Sequence, residues 1–390
     1  MTACPIASVE AIPLRAPTVD AADLDSSSET VVVRVVDEEG RAGIGEADAP
    51  AVAVRELVEM PDAHAWSRGV AGMLVGRDPF AIAALSRELY EGTIWHGRRG
   101  LGIHVLSAVD IALHDLVGKQ LGRPAYQLLG GACRIELTPY ATVYPGAPGG
   151  RTIGELMDAI AGLFERALAL GFRAVKMEVI FDDLVSDRRL VECIREGRRL
   201  LGDDVTMMLD FGYRWHDWRE ALWVLSRVAD CDVYFAEATL QHDDLTGHAK
   251  LARAVETRVC GAEMAATVHE CREWLRTGGV DVLQPDPGRC GGLTELRRIA
   301  ELAALEGALV VPHGWKTGIT AAASRHFQAA TPNAPFIESF HPELFPSPLR
   351  AELVDGEPRV ADGAIALPEA PGLGVELSAD AVERYRIGNA

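Results

Sequence analysis

Cysteine is scarce and unpatterned in this 390-residue chain: there are seven, an odd number, and none form a C-x-x-C pair. That argues against a disulfide framework and points to reduced thiols in a cytoplasmic protein. Basic residues are also short, with 38 Lys and Arg against 57 Asp and Glu and a formal charge of −19. Phosphate binding needs clustered cations, so nucleic acid and anionic membranes are not expected partners. A small anionic substrate stays compatible, because local cations or a metal set the potential of a site. No apolar run approaches the length of a membrane span, and the opening MTACPIASVEAIPL lacks a basic stretch followed by an apolar one, so no secretory signal is expected. No G-x-G-x-x-G follows the first strand and no Walker pattern occurs.

The chain is long enough for a barrel and a second domain. Residues 5–48 carry two β-branched runs, IASVEAIPLR and ETVVVRVVDEEGRAGIGEA, with a hairpin turn at Glu38-Glu39-Gly40 and a Ser-rich loop over 16–29. Residues 50–125 have helical period; Ile103, Leu106, Val109, Leu113 and Leu116 share one face. Near 135 the pattern changes to alternating strand and helix. IELTPYATV reads as strand one, and Thr152 with Glu155 forms a capping box for a helix that stops at Gly171. FRAVKMEV reads as strand two, a helix follows over about 184–201, and five more runs lead to APFIESF as strand eight. The expected division is an α+β capping domain over 1–130, a barrel over 131–350 and a segment over 351–390 that packs back on the capping domain.

Five polar residues end successive apolar runs: Asp210, Glu237, Glu263, Asp286 and His313, spaced 23 to 27 residues apart. One strand, one helix and two loops fill such a step. The ladder therefore places one polar residue at the C-terminal end of each of five parallel strands, the face where a (β/α)₈ barrel carries its chemistry. Three carboxylates on adjacent strand ends would repel one another, and a hard divalent cation such as Mg²⁺ resolves this with carboxylate oxygen ligands. Asp210, Glu237 and Glu263 are the expected ligands. Asp286 beside His313 would fix one imidazole tautomer and raise the basicity of the other nitrogen, which suits a general base.

Lys176 in AVKMEV, the ladder, Glu338 in FIESF, the segment EATLQHDDLTGH, the helix HVLSAVDIALHDLVGKQLG and GIGEA together resemble the mandelate racemase subgroup of the enolase superfamily. The resemblance implies a capping domain on a (β/α)₇β barrel, one Mg²⁺, abstraction of the proton α to a carboxylate through an enediolate, and a homo-oligomer. It implies that Glu338 is a protonated acid on the substrate carboxylate. It also implies Lys176 as a substrate ligand.

The chain departs from that pattern in three places. The usual Lys-x-Lys of strand two is Lys176-Met177-Glu178, and residues two apart share a face, so Glu178 points at the mouth where a second lysine is expected. It could bind a hydroxyl, pair with Lys176 or act as an acid/base group. The EEP triplet is Glu237-Ala238-Thr239, and DFGYRW has Gly212 where Asn is frequent, followed by Tyr213, Arg214 and Trp215. Lys316, Tyr213, Trp95 and Arg98 are candidate substrate contacts, the last two in IWHGRRG with His96 and Arg99, while His216 reads as a surface residue. One clear base favours dehydration of an acid sugar (aldonate or aldarate) to a 2-keto-3-deoxy acid. A racemase, epimerase or cycloisomerase is the alternative, and a non-catalytic binding protein on the same fold is a third.

Overall fold

Alternation along short strands decides where the chemistry sits. A computed structural model describes residues 3–19, 26–181 and 184–388, so residues 20–25 of the Ser-rich loop lie outside the described residues. Eight strands, numbered one to eight, run Pro139–Val143, Ala174–Glu178, Thr206–Asp210, Val233–Glu237, Arg258–Gly261, Val282–Leu283, Leu309–Val310 and Ile337–Ser339. All pair in parallel, in the order seven-six-five-four-three-two-one-eight, which is that of a barrel wound in sequence. At the seam between seven and eight, Val310 N–H donates to Asn333 C=O at 3.0 Å. Tyr140, Ala174, Met208, Phe235, Cys260, Val282 and Val311 pack together as an apolar interior. Their neighbours Ala141, Val175, Met207, Leu209 and Ala236 join the core formed with the helices. The period of two thus puts Lys176, Glu178, Asp210 and Glu237 on the inward face, above an apolar floor.

Strands six and seven are shorter than their apolar runs. Pro285 and Pro312 have no N–H for the ladder, so pairing stops before them and Asp286 and His313 stand on the loops just beyond. The expected first strand also divides. Glu136–Leu137 leaves the barrel to pair antiparallel with Ile365–Ala366, and only Pro139–Val143 enters it. The helix after strand one spans Ile153–Ala169 with the Thr152–Glu155 capping box formed, and the next spans Asp187–Leu201 with Ser186 as its cap.

The N-terminal sheet is antiparallel: Ile6–Arg15 pairs with Glu29–Asp37, which pairs with Ala42–Ala47 across the Glu38-Glu39-Gly40 turn. The helix Leu101–Leu121 lies on this sheet. Gly43 and Gly45 permit the approach, because a Cβ would stand 2.1 Å from Ala112 O at the first and 1.9 Å from Ala108 O at the second. The expectation of one apolar face on this helix is too narrow, since every residue from Val105 to Gly118 is buried. Its other face meets the barrel helix Gly292–Leu305, where Ser107 and Asp110 accept the Gly291 and Thr294 N–H groups at 2.8 and 3.0 Å. With 21 residues and a mean hydropathy of 1.4 in its most apolar window, this helix is long and apolar enough to cross a membrane. That corrects the reading that no run approaches this length. The window is 89% buried within the fold, which accounts for its composition without a bilayer.

The C-terminal segment touches both parts. Val354–Asp355 pairs with Glu376–Leu377, Leu373 N–H donates to Asp115 at 2.8 Å, and Ile387 N–H donates to Pro13 C=O at 2.9 Å.

Buried His326, on the helix Gly318–Ala330, accepts the Tyr126 N–H at Nδ1 over 3.1 Å. Burial, reinforced by Arg325, pushes its pKa down to about 4. The folded state therefore holds it neutral where the unfolded chain protonates it near pH ~6.5. Its contribution is complete above that value and is lost as pH falls from ~6.5 towards 4, a cost of about 3 kcal/mol. Urea titrations at pH 7 and pH 5 should show a steeper loss in the native protein than in His326→Gln. Equal losses would rule out this assignment.

Candidate active site

Register aligns the acids before any tertiary contact is considered. Glu178 pairs with Asp210 and Asp210 with Glu237, which puts three carboxylates side by side at the ends of strands two, three and four. Glu263 stands two residues beyond strand five. Lys176 lies under them, almost fully buried, with its Nζ 2.9 Å from Glu237 Oε1, 2.9 Å from Glu338 Oε1 and 3.6 Å from Asp210 Oδ2. Burial opposes its charge, but Glu237 and Glu338 hold the ammonium well above its ordinary pKa, so it stays a cation. Gln284, two residues before Asp286 and on the same face, donates to Glu237 Oε2 at 2.5 Å.

His313 and Asp286 meet as expected, with Nδ1 and Oδ2 2.6 Å apart. Gly288 N–H holds the other carboxylate oxygen of Asp286 at 2.6 Å. His313 Nε2 faces the acids, 3.7 Å from Glu263 Oε2. Burial disfavours the imidazolium, yet Glu263 and the Asp286 bond outweigh it and lift His313 to about 9. Positive charge placed on Glu263 would relieve that pull and favour the neutral base.

For Glu338 the resemblance implies a protonated acid on the substrate carboxylate; its own surroundings pull the carboxyl the other way, down to about 2. Burial opposes ionisation; Lys176, His313 and a 2.5 Å bond from Thr142 overcome it. Gly314 N–H adds a further donor at 2.7 Å. Glu178 is shifted in the opposite direction: its carboxyl is pushed well above the usual range by burial and by Asp210.

The predicted substrate contacts are dispersed. Lys316 is engaged, with its Nζ 3.0 Å from Asp48 Oδ1 and donating to Glu29 C=O at 2.8 Å. Asp48 also accepts from Arg289 Nε at 2.7 Å, and its N–H donates to Gly288 C=O at 3.2 Å. Lys316 thus belongs to a clamp between the N-terminal sheet and the loops that carry Asp286 and His313. Asp48 and Arg289 gave no signal in the sequence, because their pairing spans 241 positions. Tyr213 turns its hydroxyl to Glu263. Trp95, 66% exposed, packs edge-on against His64, with ring centroids 5.1 Å apart, and Arg98 lies 5.1 Å over the Tyr90 ring. Both stand in the N-terminal part beside a cavity of about 460 Å³ lined by Trp66, Met73 and Tyr90. None of their described contacts reaches the carboxylates. His216 is exposed, as expected.

A divalent cation fits this donor set by charge. Burial pushes Asp210 and Glu237 up, the latter to about 8, and neighbouring carboxylates add to the rise despite Lys176. Crowding makes these carboxyls resist ionisation, a penalty that a bound cation would relieve, and their donors are the hard oxygens that Mg²⁺ prefers. Among the described residues no three ligands already converge on one point. Glu237 Oε1 is engaged by Lys176 and Glu263 Oε1 by the Tyr213 hydroxyl.

Comparison with known proteins agrees with this geometry. Residues 5–130 match the mandelate racemase/muconate lactonizing enzyme N-terminal domain, and residues 159–381 match the enolase C-terminal domain-like family. The D-galactarolactone cycloisomerase of Agrobacterium fabrum is 31% identical over 92% of this chain and 91% of its own. The L-rhamnonate dehydratase of Saccharopolyspora erythraea is 32% identical over 90% of this chain and 83% of its own. A solved structure provisionally termed a racemase superposes with a TM-score of 0.92 at 45% identity and covers 98% of each chain. A racemase from Streptomyces coelicolor with bound magnesium superposes at 0.83, with 25% identity, over 98% of this chain and 100% of its own. This chain belongs to the mandelate racemase/muconate lactonizing enzyme family of the enolase superfamily and is an enzyme of the lyase or isomerase class.

Proposed function

We propose that this protein is a Mg²⁺-dependent dehydratase of an acid sugar, converting an aldonate or aldarate to a 2-keto-3-deoxy acid. The observation that carries this reading is the 2.6 Å His313–Asp286 pair facing the carboxylates, while Glu178 stands where the family's second lysine is expected. Asp286 keeps the proton of His313 on Nδ1, which leaves the Nε2 lone pair towards the substrate. Nε2 takes the α-proton. The electron pair left behind expels the β-hydroxyl, which departs as water with a proton returned by the imidazolium, and the enol product tautomerises to the keto acid. Asp210, Glu237 and Glu263 would hold the Mg²⁺, which supplies positive charge against the enediolate. Lys176, beneath the acids, keeps them compensated, and Glu178, whose burial favours the protonated form, would donate to a substrate oxygen.

Dehydratase and cycloisomerase relatives at similar identity keep a second reading open, proton transfer without loss of water, in which Glu178 serves as the second acid/base group. Purified protein with Mg²⁺ should release a 2-keto-3-deoxy acid from one member of an acid-sugar library. In D₂O the α-proton should be lost with the β-hydroxyl. Deuterium entering the α-position of unchanged substrate or its epimer, with no keto acid formed, would replace the dehydratase by an isomerase.

The same reading takes the substrate as a small anionic carboxylate and the protein as a cytoplasmic homo-oligomer. Seven free cysteines support that compartment. The division into 1–130, 131–350 and 351–390 is proposed with it.

A further inference from the structure

Tyr213 occupies a position that its backbone makes costly. Its φ is +61°, in the left-handed region that side chains other than glycine seldom adopt, and Gly212 before it has φ +57°. Such a conformation persists where surrounding contacts over-determine it, and such sites cluster at function. Here the contacts reach the ends of three strands. Gly212 N–H donates to Asp210 Oδ1 at 2.9 Å. Tyr213 N–H donates to the carbonyl of Ala238, the residue after Glu237, at 2.5 Å. The Tyr213 hydroxyl donates to Glu263 Oε1, and Gln241 Nε2 fixes the Tyr213 carbonyl at 2.5 Å. The two-residue turn thus straps together the three carboxylate-bearing strand ends.

We infer that Tyr213 is a positioning residue for the cation site: its hydroxyl fixes Glu263 through Oε1 and leaves Oε2 for the metal. The inference rests on the proposed assignment of Asp210, Glu237 and Glu263 as ligands. It moves Tyr213 from substrate contact to ligand support. Removing a hydrogen bond that orients a ligand weakens metal affinity by about 10- to 100-fold in comparable sites.

The test is calorimetric titration of metal-free protein with MgCl₂. The wild type should bind. Glu263→Gln, which removes a ligand charge, should bind far more weakly. Tyr213→Phe should show a Kd raised by about 10- to 100-fold, with the thermal unfolding of the metal-free protein unchanged and binding recovered at higher Mg²⁺. If the phenylalanine variant does not fold, Tyr213→Gly, which suits the left-handed backbone, should show the same weakening. A Tyr213 variant binding within twofold of a wild type that does bind overturns the role of Tyr213 and leaves the ligand assignment standing. A wild type that binds no Mg²⁺ overturns both.

Discussion

His313→Asn is expected to abolish turnover of the cognate acid, with a fall of roughly 10⁴-fold, while leaving the fold and Mg²⁺ affinity intact. The expectation comes from geometry. His313 Nδ1 is committed to Asp286 at 2.6 Å, so only Nε2 is available, and it points towards Glu263 and the mouth of the barrel. Asparagine is similar in reach but has no basic nitrogen. Exchange of the substrate α-proton with solvent deuterium, followed by NMR, should stop together with product formation. Asp286→Asn should fall by about 10²-fold or more, because an amide no longer selects the tautomer with a free Nε2 lone pair. Continued α-proton exchange in His313→Asn at a wild-type rate would assign the base elsewhere, with Glu178 the next candidate.

Glu46→Ala is expected to destabilise the protein by about 3 to 5 kcal/mol, through buried donors left without an acceptor. Glu46 is fully buried, and its carboxylate is a hub between the N-terminal sheet and the barrel. Oε1 accepts from Thr30 Oγ1 at 2.5 Å. Oε2 accepts from Thr317 Oγ1 at 2.9 Å, Thr320 Oγ1 at 2.8 Å, and the N–H groups of both threonines at 3.3 Å. Alanine leaves these five donors without a partner in a site closed to water, and each unsatisfied buried group costs about 1 to 3 kcal/mol before relaxation. Thr317 and Thr320 begin the helix that follows strand seven, so the loss should loosen the loop that carries His313. Glu46→Gln keeps the shape but turns an amide N–H₂ towards donors, and should fall between alanine and wild type. Urea unfolding monitored by tryptophan fluorescence measures the series. An alanine variant within 1 kcal/mol of wild type would show that the hub is not what joins the two parts.

Much of the architecture is legible in the order of residues alone. The five-residue ladder fixes five of the eight strands and their direction, because each step has room for only one strand and one helix. The two-residue period then puts Lys176 and Glu178 on the inward face whatever the packing. Strand lengths are less legible. Apolar runs overstate strands six and seven, since Pro285 and Pro312 interrupt pairing without interrupting hydrophobicity.

Side chains that choose partners across the chain are not legible in this way. Lys316 near His313 reads as a substrate contact until Asp48 and Glu29 are found against it. Glu338 gives no hint in the sequence that Lys176, Thr142 and the Gly314 N–H converge on it. Tyr213 reads as a wall of the substrate pocket until its hydroxyl is seen on Glu263, 50 residues away. Charge state and hydrogen-bond choice depend on burial and on distances of a few ångströms, and these exist only once the strand ends are brought together. By itself the sequence determined the barrel and the acid-and-histidine ladder, which follow from periodicity and residue type; the missing second lysine follows from the family resemblance. Only the tertiary structure shows which acids crowd together, that Lys316 is already paired and that the Tyr213 hydroxyl meets Glu263, because an electrostatic environment is a property of three dimensions.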